Sequence, residues 1–353
     1  CVMASPYSDI GVLINLAIRW NSLVLINTLN GESLISYTQS ADNVSLNSLK
    51  DNKHSVSETI RETSFILSAF RTYYNTLFKN SDHLSDDWLT WFIGFAEGDG
   101  AIQTYAEGKR TRFVLTQKES AILYDIQHKL NIGVVRHFPK GKSGKNNDFY
   151  RLMIDDPSQI LLLAYLFNGN LAMDNRIKQL SLWINSLNNR FGPDTIKLNN
   201  NPISITLKDG WLSGFTDAEG CFNVSIIANS RYTLGHVIKM RYILDQKDGV
   251  ILNKICDLFG FGKVSLRSGT EDVYRYTATG FKTLQNVISY FELFPLFTKK
   301  RSSLEKWLAV HTQVSNKLHL TKEGLAQVRF MQKQINLNNS TTNKTGAAKF
   351  FRN

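Results

Sequence analysis

Cysteine is scarce in this chain: Cys1, Cys221 and Cys256 are the three among 353 residues, with no CxxC spacing and no Cys/His cluster. That excludes a disulfide framework and a zinc site, and it fits a reducing compartment. Long uninterrupted apolar runs are missing as well. The nearest approach, residues 10–29, carries Asn15, Arg19, Asn21 and Asn27. It reads as an amphipathic packed segment rather than a membrane span, so no membrane partner is expected. An initiating Met is absent, and the expected reading is a processed or in-frame internal product. Acidic charge is short too, at 30 Asp+Glu against 41 Lys+Arg, for a net +11.

That excess is unevenly placed. Residues 1–80 hold six basic and six acidic side chains, so the remaining 35 basic against 24 acidic fall in residues 81–353. A basic folded body points to a polyanion partner such as nucleic acid. With 42% hydrophobic residues the chain can bury a substantial core and is expected to hold two domains or pseudo-domains.

What is present is a repeat. Trp91-Phe92-Ile93-Gly94-Phe95-Ala96-Glu97-Gly98-Asp99-Gly100 and Trp211-Leu212-Ser213-Gly214-Phe215-Thr216-Asp217-Ala218-Glu219-Gly220 are two versions of one pattern, an apolar helical run ending in acid–x–acid–Gly. The following segments run in parallel. Strands are predicted at 100–105, 110–117, 134–138 and 149–154, with a Gly/Lys-rich hairpin loop at 140–147; helices are predicted at 120–130, 157–167 and 176–187. The second copy gives strands at 221–228, 237–246, 263–267 and 273–277, and helices at 250–259, 281–291 and 302–314. Gln117 to Gly133 and Gln246 to Gly262 are both 16 residues; Arg176 to Trp183 and Lys300 to Trp307 are both seven. The expected fold is α+β: two pseudo-symmetric αββαββα repeats forming a β-saddle, with a mostly helical or irregular N-terminal extension. The domains are 1–80 (the extension, with a flexible linker at 36–57), 81–200, 201–320, and 321–353 (a helix at 322–337 and a polar tail).

Small residues four apart, Gly94/Gly98 and Gly214/Ala218, share a helix face and allow close approach of a twin helix. Gly100 and Gly220 are natural helix terminators. Asp99 and Glu219 would then sit at adjoining helix C-termini, where mutual repulsion and two helix dipoles call for a cation; hard oxygen ligands suit Mg²⁺. The inner acids Glu97 and Asp217 point away from that gap and are expected to hold structural hydrogen bonds.

The two runs resemble the motifs of the LAGLIDADG homing endonucleases in their single-chain, double-motif form, over roughly residues 85–315. The resemblance implies that Asp99 and Glu219 bind two or three shared divalent ions and direct hydrolysis of one strand each. It implies that Gln117 and Gln246, at the ends of the second strands, help order water near the metals. It also implies a basic helper near the start of the last helix, matched by Lys299. Asn175 stands at the corresponding place in the first copy, which argues against equal cleavage of the two strands.

Strand alternation adds a nucleic-acid face. Arg110 and Arg112, and Lys239 and Arg241, lie seven and five residues before Gln117 and Gln246. With period two they are expected to share one face with the glutamines, while Phe113, Leu115, Tyr242 and Leu244 take the core face. Gln103, Tyr105, Asn223 and Ser225 on the first strands, and Arg151, Lys263, Arg267 and Arg275 on the later ones, extend a surface able to read base edges in a major groove. The implied function is a monomeric, site-specific, Mg²⁺-dependent double-strand DNA endonuclease for intron homing on an asymmetric target. The alternative is a maturase that assists splicing of its host group I intron RNA. The resemblance, not the composition, implies a mitochondrial location, in the matrix; low Pro with abundant Asn, Lys, Ile and Leu fits synthesis in a fungal mitochondrion.

Overall fold

The computed structural model describes residues 65–79, 84–139 and 148–335. The chain divides into two compact units, Cys1–Thr59 and Ile60–Asn353, and all described residues lie in the second. The expected segments at 10–29 and 36–57 and the hairpin loop at 140–147 fall outside the described residues. In chain order the elements are α1 (Ser68–Leu77), α2 (Asp86–Asp99), β1 (Gly100–Tyr105), β2 (Arg110–Gln117), α3 (Ala121–Leu130), β3 (Val134–Phe138), β4 (Phe149–Ile154), α4 (Pro157–Phe167) and α5 (Asp174–Phe191), followed by α6 (Trp211–Glu219), β5 (Gly220–Ala228), β6 (His236–Gln246), α7 (Gly249–Phe259), β7 (Lys263–Leu266), β8 (Tyr274–Thr279), α8 (Phe281–Leu293) and α9 (Lys300–Ser315). A 3₁₀ turn (Leu318–Leu320) and α10 (Lys322–Gln334) complete it. The αββαββα unit is therefore used twice, as the paired motifs predict.

Each repeat builds one antiparallel four-stranded sheet, in the orders β1-β2-β4-β3 and β5-β6-β8-β7. Alternation sends Phe113 and Leu115, and Tyr242 and Leu244, into the core, all fully buried. The helices cover that side, and the opposite side carries the arginines and lysines. The glutamines depart from the expected arrangement. Five and seven are odd separations, so Gln117 and Gln246 share the core side with Phe113 and Tyr242, not the basic side with Arg112 and Arg241. They terminate that side, which leaves them half-buried at the helix ends rather than on the outer surface.

The two motif helices, α2 and α6, lie against each other in the same direction. A Cβ on Gly94 would fall 2.0 Å from the Trp211 carbonyl oxygen, and one on Gly214 would fall 1.8 Å from that of Trp91. Backbone touches backbone there, so only glycine fits. Gly100 and Gly220 end the two helices as expected, without a left-handed cap. Their φ/ψ of −75°/141° and −86°/156° are extended, and each helix runs directly into its strand. Glycine is needed for space: a Cβ would meet Ala96 O at 2.4 Å or Thr216 O at 2.6 Å.

Residues 65–79, expected in a separate extension, pack on the first repeat instead. Phe65, Leu67, Phe70 and Tyr74 are buried. Asn170 clasps the Ile66 backbone from both sides (2.7 and 2.8 Å), and the Tyr74 hydroxyl donates to the Lys129 carbonyl at 2.9 Å. Polarity around this segment hides its apolar face, which is why the composition shift misplaces the boundary. At the other end, α10 buries Leu325 and Val328, and Gln332 donates to the Val224 carbonyl of edge strand β5 at 3.1 Å. Covering an edge in this way removes a site for unwanted strand pairing. Among the described residues no helix is long and apolar enough to cross a membrane.

Candidate active site and nucleic-acid face

The inner acids hold the two repeats together. Glu97 accepts from the backbone N–H groups of Ala172 (3.0 Å) and Met173 (2.9 Å) in its own repeat, and from the Trp211 indole of the other at 2.7 Å. Asp217 mirrors it, accepting from Phe297 N–H at 2.7 Å, from the Thr298 hydroxyl, and from the Trp91 indole at 2.9 Å. Both carboxyls are buried and their pKa values are raised by desolvation, to about 7 for Glu97. Each is satisfied by hydrogen bonds, so the expected structural role matches their surroundings.

Two residues further on, Asp99 and Glu219 end their helices at the same end of the pair. The Gln117 amide donates to Asp99 at 2.6 Å, and the Gln246 amide to Glu219 at 2.9 Å. Desolvation raises both pKa values. Glu219 is pushed up to about 7, first by desolvation and then by the negative Asp99, so the two carboxylates lie close enough to repel. A cation between them relieves that repulsion. Among the described residues no third acid, His or Cys joins them in a metal-ligating cluster. Two carboxylates with open positions fit a hard divalent ion that keeps several waters, rather than an all-protein cage.

Two cations missed by the sequence reading flank this pair. Lys300 Nζ donates to the α6 carbonyls of Thr216 (3.2 Å) and Ala218 (2.7 Å). Arg176 does the same on α2, from Nε to Glu97 O at 2.9 Å and from Nη2 to Gly98 O at 3.1 Å. Each neutralises the negative end of a helix dipole. Burial lowers the Lys300 pKa, opposed by Asp217, Asp99 and Glu219. Arg176, also lowered by burial, is held charged by Glu97, Glu219 and Asp99. Lys299, expected as the helper, turns elsewhere and pairs with Glu119 of the first repeat at 2.8 Å. The first repeat has therefore not lost its cation: Arg176 occupies the Lys300 position. The seven-residue spacing to Trp183 and Trp307 already carried that signal, since the two indoles anchor equivalent turns by donating to Gln103 O (2.9 Å) and Asn223 O (3.2 Å).

The outer side of the sheets gathers the expected basic and polar residues. Gln103 pairs in register with Arg112, Tyr105 with Arg110, Asn223 with Arg241 and Ser225 with Lys239. On the later strands, Arg151 faces Arg136, and Arg275 faces Ser265. Lys263 is exposed, and Arg267 reaches Asp245 at 3.4 Å. Arg136 and the acids Asp155 and Asp245, which shape this face, were not singled out from the sequence.

The profile of the LAGLIDADG endonuclease family matches residues 212–311. The Neurospora crassa protein named "Probable intron-encoded endonuclease 4" is 35% identical over 265 residues, covering 74% of this chain and 46% of that protein, so the chain spans about half that relative's length. The Schizosaccharomyces pombe "Uncharacterized cox1 intron-2 37.2 kDa protein" is 24% identical over 245 residues, 68% of this chain and 70% of that one. The crystal structure of the LAGLIDADG meganuclease I-AabMI bound to uncleaved DNA shares the fold with a TM-score of 0.57 at 22% identity, covering 70% of this chain and 99% of that one. With both motifs, both sheets and the clasped helix pair in one polypeptide, the chain belongs to the LAGLIDADG family in its single-chain, two-repeat form.

Proposed function

We propose that this protein is a site-specific double-strand DNA endonuclease that hydrolyses one phosphodiester in each strand with divalent ions, Mg²⁺ by preference, held by Asp99 and Glu219. The carrying observation is that both carboxylates end adjoining helices, both raised in pKa by burial and Glu219 further by the negative Asp99, beside two basic sheet faces. Gln117 and Gln246 fix the carboxylate orientation through their amide N–H bonds. Lys300 and Arg176 hold positive charge beside the pair, where negative charge builds on a phosphate under attack. Bound divalent ions would supply an activated water and stabilise the leaving oxygen. The sheets dock the duplex through their outer side chains, with phosphate contacts positioning it and base-edge contacts selecting it.

Relatives named as intron-encoded endonucleases favour DNA cleavage over the maturase alternative. One chain holding both halves supports a monomer. A relative named for a cox1 intron supports a mitochondrial location. The test is incubation with a pool of randomised duplexes in Mg²⁺, followed by sequencing of cut ends, with Ca²⁺ as a control. Defined cut sites lost in Asp99→Asn and Glu219→Gln support the reading; no enrichment of any cut site refutes it.

A further inference from the structure

The two repeats are not electrically equivalent on their outer faces, and the difference follows a simple exchange. In the first repeat, Arg112 is held by both carboxylate oxygens of Asp155, with Nη2 at 3.0 Å from Oδ2. In the second, the equivalent Arg241 bonds only neutral groups, Asn223 Oδ1 at 3.0 Å and Ser225 Oγ at 3.1 Å. One strand over, the pattern reverses. Arg275 is bound bidentately by Asp245, at 2.6 and 2.7 Å, and Arg267 shares the same acid. The equivalent Arg151 has no acid: its Nε is buried and has no hydrogen-bond partner among the described residues, and its guanidinium rests about 5 Å from the stacked rings of Phe138 and Phe149 (5.1 and 5.0 Å). Its cross-strand neighbour is another cation, Arg136. By sequence, residues 140–147 contain three lysines and no acid that could compensate it.

Register explains the reversal. Thr116 pairs with Arg151 and Asp245 with Arg275, so positions 116 and 245 correspond. Arg241 pairs with Thr279, and Asp155 follows Ile154 at the matching place beside Arg112, so 155 and 279 correspond. The first repeat thus carries Thr116 and Asp155, and the second carries Asp245 and Thr279. Threonine and aspartate are swapped.

We infer that this swap decides which arginine reads DNA in each half-site. This rests on the DNA-cleaving reading above. A guanidinium locked bidentately on a carboxylate has lost the fork that pairs with guanine O6 and N7, and its charge is cancelled. The first half is therefore read by Arg151, beside the strand end that carries Gln117 and so near the centre of the site. The second half is read by Arg241, five residues before Gln246, whereas Arg151 lies opposite Thr116, one residue before Gln117; Arg241 is therefore four residues, about 14 Å, farther out at ~3.4 Å per residue. Asn223 and Ser225 pre-orient Arg241 without neutralising it. Asp155 and Asp245 silence the other position in each half. The target is consequently asymmetric in where its strongest base preferences fall, not only in which bases they are.

The experiment is binding selection from a randomised duplex pool in Ca²⁺ with wild type, Thr116→Asp/Asp155→Thr and Asp245→Thr/Thr279→Asp. The first swap is expected to lose a guanine preference at an inner position of one half-site and gain one farther out; the second swap is expected to do the reverse in the other half. Each lost preference should weaken binding to the wild-type site on the order of tenfold. Arg151→Lys and Arg275→Lys, which keep charge and backbone, give a second readout: the former is expected to relax one inner position and the latter none. Unchanged preferences in both swaps, or equal effects of the two lysine variants, overturn the inference while leaving DNA recognition intact. If wild type enriches no sequence from the pool, the DNA-reading function itself falls.

Discussion

The indole N–H of Trp91 lies 2.9 Å from a carboxylate oxygen of Asp217, so an aromatic of one repeat satisfies the buried acid of the other. The converse pair, Trp211 to Glu97 at 2.7 Å, completes a reciprocal clasp below the candidate active site. Replacing Trp91 by Phe keeps an aromatic ring but removes one donor from a buried carboxyl and leaves a void where the larger, fully buried indole packed. The expected loss is about 1–3 kcal/mol of stability, read as a lower denaturant midpoint in urea unfolding. A variant as stable as wild type would show that the clasp is incidental.

Gly94→Ala and Gly214→Ala each place a methyl inside a facing carbonyl, at 2.0 and 1.8 Å before relaxation. The helices must part to accept it. Overpacking of this kind costs about 1–3 kcal/mol and here also separates Asp99 from Glu219. Both variants should melt earlier and lose divalent-ion dependent cleavage. Gly108→Ala gives a comparison for cleavage rather than for stability: no atom lies within 4 Å of its Cβ position, but its φ of +85° strains any side chain, so it should melt earlier yet keep cutting.

Metal-free stability should fall as pH rises. The folded pKa of Glu219 is raised to about 7 from an unfolded value near 4.5, so the folded state holds a proton that the unfolded chain has released. That contribution is complete below pH 4.5 and is lost as pH climbs to about 7. Thermal melting in chelator across pH 4.5–7.5 is expected to show this decline, and Glu219→Gln should flatten it in part. Glu97, also raised to about 7, leaves a residual slope.

Divalent ions should reverse that loss. At pH 7.5, added Mg²⁺ or Ca²⁺ binds the folded carboxylate pair and is expected to raise the melting temperature, with about 2.7 kcal/mol of stabilisation at a hundredfold excess over Kd. The Asp99→Asn/Glu219→Gln double variant should melt at the same temperature with and without the ion. An equal rise in both proteins would place the ion elsewhere.

Lys300→Met should reduce cleavage at least tenfold, because it strips the positive charge shared by Asp217, Asp99 and Glu219 and frees two helix-end carbonyls. Arg176→Met should act similarly in the other repeat. Lys299→Met removes an ion pair with the half-exposed Glu119, and its effect on stability should stay within about 1 kcal/mol. Strand-resolved cleavage rates compare the three. A larger effect at Lys299 than at Lys300 would make Lys299 the catalytic helper.

The repeated motif, the order and rough limits of strands and helices and the two terminal acids were legible in the sequence, because each depends on local periodicity and on comparing one half of the chain with the other; the helix expected at 176–187 runs from Asp174 to Phe191. Strand β2 spans residues 110–117 as predicted, and α4 spans 157–167. What sequence could not fix was direction. Successive helical residues differ by about 100°, so Lys299 and Lys300 serve different partners though they adjoin. The strand faces are different: residue parity decides them, and the odd step from Gln117 to Arg112, countable in the sequence, puts the glutamine under the sheet with the carboxylate instead of over it with the arginines. Which acid silences which arginine, and which tryptophan satisfies which buried carboxyl, depends on contacts between residues far apart along the chain. Only the tertiary structure sets these, because cross-strand register and the close passage of two glycine-bearing helices bring such groups within hydrogen-bond reach.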